Sequence, residues 1–182
     1  MTKALILVDI QNDYFDGGNM QLVGMDRAAA NAAQLLQTAR ERGVPRYHVQ
    51  HLSVRPGATF FVPHTEGVKI HHSVAPLGDE PVLQKNFPNA FRDTDLHERL
   101  QNSAVDELLI CGAMTHMCID ATTRAAFDLG YRCALAEDAC ATRDLQFAAR
   151  TLAAQDVHDT FMAALSNPYA HVAATADCMQ EI

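Results

Sequence analysis

No apolar run in this sequence approaches the length of a membrane span. The N-terminus runs straight into a strand-like segment. It lacks the apolar h-region and cleavage site of a signal peptide. Basic residues are scarce: 14 Lys plus Arg stand against 22 Asp plus Glu, for a net charge of -8. That balance repels phosphate backbones and anionic lipid, so neither nucleic acid nor a membrane surface is expected as a partner. Cysteines number five, Cys111, Cys118, Cys133, Cys140 and Cys178. The number is odd and none lies in a CxxC pair. A disulfide framework and a zinc ribbon are both disfavoured, and a reducing, cytoplasmic setting is expected. Internal repeats and low-complexity tails are missing too.

What is present suits one globular domain over 1–182: 182 residues, 48% hydrophobic and 20% charged. Ala4–Val8 is an unbroken apolar run stopped by Asp9. It reads as a strand buried on both faces, the mark of a parallel sheet. Apolar residues at helical spacing fill 26–42, closed by Gly43 and Pro45. Further strands are expected at 45–50, 81–84, 107–111, 132–137 and 171–175. Helices are expected at 94–102, 118–129 and, in an alanine-rich stretch, 145–165. Residues 51–79, rich in Gly, Pro and His, are too polar and broken for a regular element. Strand–helix alternation makes the fold α/β with a largely parallel sheet.

Reacting groups in such sheets collect at the carboxyl ends of strands. Asp9 ends the first strand and Lys85 follows the third. Cys118 lies beyond the fourth, past the turn Gly112–Met117, where a helix begins. A thiolate is the nucleophilic form of cysteine, and a helix N-terminus or a nearby ammonium lowers a thiol pKa. Lys85 offers that ammonium, and Asp9 offers a base that takes the thiol proton and returns it to a leaving amine. Each residue also has an ordinary role: buried small hydrophobe, surface charge, turn cap.

The segment Leu7-Val8-Asp9-Ile10-Gln11-Asn12-Asp13-Tyr14-Phe15 resembles the opening VD-x-QNDF motif of the isochorismatase-like cysteine hydrolases. Lys85-Asn86-Phe87-Pro88-Asn89-Ala90-Phe91, followed by Thr94 and Leu96, is similar to their K-x-x-[FY]-S-A-F-x-x-T-x-L block, with Asn89 where serine is common. Cys111–Thr122 resembles their G-x-x-T-x-x-C-V-x-x-T block. Three blocks match in order across most of the chain.

The resemblance implies a three-layer α/β/α fold on a six-stranded, mainly parallel sheet of Rossmann type. It implies Asp9 as general base, Lys85 as the thiolate-stabilising cation and Cys118 as nucleophile, acting on a small-molecule amide. It further implies a cis peptide at Ala113–Met114 and an oxyanion hole at the N–H groups of Met114 and Cys118. Pocket residues expected on these grounds are Phe15, Gln50, His51, Phe87, Phe91 and Thr115, with Phe60 among the nearby aromatics. The nicotinamidase branch binds a metal through an Asp-x-His pair after the second strand. Here that stretch is His48-Val49-Gln50-His51-Leu52, without such a pair, so no metal or other cofactor is expected. Family members commonly form dimers or larger homo-oligomers, and the same is expected here. Two other readings remain: a vinyl-ether hydrolase of isochorismatase type, which does not depend on the cysteine, and a catalytically silent, partner-binding member. A redox-sensing thiol at Cys118 is also compatible with the sequence.

Overall fold

A computed structural model describes residues 2–182. Strands β1 (Lys3–Val8), β2 (Arg46–His51), β3 (Val82–Lys85), β4 (Glu107–Ala113), β5 (Arg132–Ala141) and β8 (His171–Ala173) form one sheet. Their order is β3-β2-β1-β4-β5-β8, and every pairing is parallel. Alternate residues of β1 feed two cores. Leu5 and Leu7 pack with helix α1 (Met25–Glu41) and with Cys178 of α5 (Thr175–Glu181). Ala4, Ile6 and Val8 face Leu96 and Leu100 of α2 (Leu96–Asn102), Ala126 of α3 (Asp120–Asp128), and Met162 and Leu165 of α4 (Ala154–Leu165). Burial on both faces explains the unbroken apolar run, each large side chain contributing roughly 1.5–3 kcal/mol. The chain leaves β1 toward β2 on one side and enters β4 on the other. The strand order therefore reverses at β1/β4, and a crevice opens beyond their carboxyl ends.

Three expectations need correction. The helix expected over 145–165 begins only at Ala154. Before it, β6 (Leu145–Phe147) and β7 (Arg150–Leu152) form an antiparallel hairpin. Ala148 and Ala149 suit a helix by propensity, but Ala148 turns the chain at φ 52° and Asp144 Oδ1 accepts from Ala154 N at 2.8 Å, starting the helix there. The fifth strand runs on to Ala141, with a register shift opposite Ile110–Gly112. The last expected strand stops at Ala173, and α5 follows because Asp138 Oδ1 accepts from both Thr175 N and Thr175 Oγ1.

Far from the crevice, Glu80 forms a buried charge cluster. It accepts from Arg40 Nη2 at 2.7 Å, Arg46 Nε at 2.6 Å and the Leu77 N–H at 3.0 Å, and it contacts His48 Nε2 at 3.0 Å. The Arg40 guanidinium, with help from Arg46, holds this carboxyl well below the usual glutamate range, against the opposing effect of burial. Its stabilisation is complete above the ordinary glutamate pKa and is lost as pH falls toward the lower folded value. Glu80→Ala should cost about 3–5 kcal/mol, because two arginines lose their buried partner. Urea unfolding at pH 7 and pH 3 checks this; the difference between the two proteins should shrink at pH 3.

Candidate active site

Asp9 follows β1 directly, with φ 52°, a left-handed conformation that Asp tolerates better than most residues. Its side chain is fully buried. Lys85, the last residue of β3, reaches across β2 to it, with Nζ 2.7 Å from Asp9 Oδ2. The same ammonium lies 2.9 Å from His51 Nδ1 and 3.4 Å from Cys118 Sγ. Cys118 itself sits in a wide turn, Thr115–Ile119, that leads into α3. The peptide bond Ala113–Met114 before that turn is cis. Gly112, at φ 124°, lets β4 approach β1 here; any Cβ would collide with the Val8 carbonyl.

The electrostatics differ from the expectation of a lowered thiol pKa. Burial, and then the Asp9 carboxylate, push the Cys118 thiol well up, and Lys85 recovers only part of the shift. The thiol therefore rests protonated. Lys85 is held above the usual lysine range: desolvation, the largest single influence, opposes its charge, but the Asp9 carboxylate leads the contacts that outweigh it. His51 is pushed down to about 4, first by burial and then by Lys85, so its imidazole is neutral at pH 7. Asp9 Oδ1 is buried with no hydrogen-bond partner, and an Asp9 carboxylate oxygen lies within 4.8 Å of Cys118 Sγ.

Asp9, His51 and Cys118 also present metal-type ligand atoms within 4.8 Å of one another. The Lys85 ammonium hydrogen-bonds to all three. A metal ion held by these three residues would sit beside a buried ammonium that hydrogen-bonds to each of them, and the repulsion between the two cations means that the residues do not fit one.

A cavity of about 250 Å³ opens onto Cys118. Tyr14, Phe60, Phe61 and Phe87 form its apolar walls, and Met114 and Cys118 both line it. Arg55, Ser53 and Asn86 supply polar groups. Of the sequence-expected pocket residues, His51 and Phe87 line this cavity. The other four stand outside its lining. Phe15 stacks on His71 at 3.6 Å between ring centroids. Gln50 donates to the Val68 carbonyl and accepts from Gln84. Phe91 packs against Tyr131 and His97. Thr115 is buried, bonded to the Ala141 carbonyl and to His158 Nδ1.

Residues of the opening motif hold the site together in ways that the sequence alone did not disclose. Gln11 Oε1 accepts from the His51 N–H at 2.8 Å, and its Nε2 donates to the carbonyls of His51 and Val68. Asp13 accepts from the Phe61 N–H at 2.6 Å and from the Asn19 N–H at 3.1 Å. Gly67 and Gly18 press against it so closely that a Cβ on either would clash. Asn12 donates to the Glu66 carbonyl. Together these bonds pin the segment carrying Phe60 and Phe61 over the cavity. Asp13→Ala should raise KM about tenfold while changing kcat less than about threefold, because the Phe60–Phe61 wall loosens and the Lys85 contacts remain. Steady-state kinetics on any turned-over substrate reads this split.

A family model for the isochorismatase domain matches residues 3–177. The isochorismatase family protein YddQ of Bacillus subtilis is 52% identical over 175 residues, covering 96% of this chain and 97% of its own. A streptothricin hydrolase of Streptomyces noursei is 36% identical over 165 residues, covering 91% of this chain; the match spans only 56% of that longer enzyme. Weaker matches include a nicotinamidase of Escherichia coli and a maleamate amidohydrolase of Pseudomonas putida, at 27% and 26% identity. Among solved structures, an isochorismatase hydrolase from Oleispira antarctica superposes with a TM-score of 0.94 at 50% identity, covering 98% of this chain and 96% of its own.

Proposed function

The chain belongs to the isochorismatase family of hydrolases, and from that premise we propose that it is a cysteine-dependent hydrolase of a small-molecule amide. The observation that carries this reading is one buried ammonium, Lys85, within hydrogen-bond reach of both Asp9 and Cys118, the last of which lines the cavity. Relatives named as a nicotinamidase and a maleamate amidohydrolase support C–N cleavage over vinyl-ether chemistry.

The reaction runs as acyl transfer. As the amide carbonyl meets Sγ, the Cys118 proton passes to Asp9 and the C–S bond forms. Transfer and attack are coupled, because burial keeps the resting thiol protonated. Lys85 stays charged and pairs with the sulfur as Asp9 becomes neutral. The Met114 and Cys118 N–H groups hold the oxyanion. Asp9 then gives its proton to the leaving nitrogen, the C–N bond breaks, and a thioester remains. Asp9 next takes a proton from water. The hydroxide adds to the thioester, the C–S bond breaks, and the proton returns to the sulfur. The products are a carboxylic acid and ammonia or an amine.

The cavity volume of about 250 Å³ suits a small molecule rather than a polymer. A panel of carboxamides, N-carbamoyl compounds, ureido acids and lactams, read by ammonia or amine release, tests the reading. Hydrolysis of at least one class should appear. A folded protein inert to every class, with a Cys118 that resists acylation by activated esters, would exclude it.

A further inference from the structure

Lys85 carries three N–H donors in a site where its side chain is fully buried. Two of them meet Asp9 Oδ2 and Cys118 Sγ, the residues of the reaction above. The third meets His51 Nδ1 at 2.9 Å, and nothing in that reaction yet uses His51. An ammonium can only donate, so Nδ1 is the acceptor. The neutral ring therefore carries its proton on Nε2. That nitrogen makes no hydrogen bond within the described residues and is not among the buried unpartnered atoms, and His51 lines the cavity. Its backbone is clamped on both sides by Gln11, so the ring is held in place rather than loosely packed.

We propose that His51 has two roles at this site: Nδ1 positions the Lys85 ammonium beside Cys118, and the Nε2–H is donated to an acceptor atom of the bound substrate. The positioning role matters most when Asp9 takes the thiol proton. At that moment Lys85 loses its anionic partner and must stay on the sulfur; the neutral His51 acceptor is unchanged by the proton transfer and keeps the ammonium in register. The donor role implies a substrate with an oxygen or nitrogen acceptor near the scissile amide, and it rests on the amidase reading above. The positioning role does not.

The two nitrogens can be tested apart. Asparagine carries its amide atoms at the bond distance of Nδ1 from Cβ, and glutamine at that of Nε2. His51→Asn should keep kcat and the rate of Cys118 alkylation by iodoacetamide within about threefold of wild type, and raise KM about tenfold. His51→Gln should do the reverse, with kcat and alkylation down about tenfold and KM within about threefold. His51→Leu should lose both. Alkylation of His51→Leu at the wild-type rate, with its melting temperature unchanged, overturns the positioning role. Should that variant fail to fold, equal alkylation of the Asn and Gln variants overturns it instead. An unchanged KM in His51→Asn overturns the donor role. A wild type inert to all amides, with the alkylation series as expected, overturns the amidase reading and the donor role with it, while the positioning role stands.

Discussion

Cys118→Ala is expected to lower amide hydrolysis by at least about 10⁴-fold, the scale on which loss of a covalent nucleophile is felt. The variant removes one sulfur atom from the cavity floor and leaves the Asp9–Lys85 ion pair at 2.7 Å untouched. Its stability should therefore stay within about 1 kcal/mol of wild type, well below the cost of a large core truncation. Activity and folding are then cleanly separated, with chemical denaturation measured beside ammonia release. The same variant distinguishes the family's two chemistries. Vinyl-ether hydrolysis of isochorismatase type does not need the cysteine and would survive. Retention of more than about 1% of the wild-type rate on an amide would remove Cys118 from the mechanism.

The physics of the sheet made most of the fold legible. A strand buried on both faces must be apolar throughout, and β1 is; its first polar residue, Asp9, then marks the functional edge. The hairpin at 145–152 was hidden because alanine content speaks for a helix, whereas the turn at Ala148 and the cap from Asp144 are set by single residues with no periodic signal. Helix α5 was hidden for a similar reason: seven residues nucleate poorly alone, and its start depends on Asp138, 37 residues earlier. Within the site, the three motif blocks brought Asp9, Lys85 and Cys118 together as a set. The blocks could not say which aromatics face the cavity. Tyr14 lines it while its neighbour Phe15 turns to His71, a choice made by the short helical turn Asn12–Tyr14. Phe61 was equally invisible, because the bond that places it comes from Asp13, 48 residues away. The thiol pKa is raised rather than lowered. Helix position and a nearby ammonium both argue for a thiolate, but burial outweighs them once the side chain is almost wholly enclosed.

Asp9→Asn is the second large effect, and it should act on both activity and stability. An asparagine cannot take the thiol proton, so turnover should fall by about 10³-fold, within the span of general-base removal. It also leaves the Lys85 ammonium without its anion in a fully buried site, which should cost about 3–5 kcal/mol. Without that anion the balance at Lys85 shifts toward desolvation, and the amine should lose its proton more readily. The two effects can be separated by adding Lys85→Met. Removing both charges should return much of the lost stability, because no lone charge remains buried, and none of the activity. A purely architectural ion pair would behave differently: the double variant would regain activity along with stability. A double-mutant cycle in urea, with turnover measured on the same four proteins, therefore decides what the pair is for. Asp9→Asn that keeps activity within about tenfold of wild type would identify some other group as the base. Asp9 Oδ1, buried and unpartnered in the resting site, is the atom that makes such an outcome unexpected. An orphaned acceptor there is costly, and a proton arriving from Cys118 during the reaction gives it the partner that the resting fold withholds.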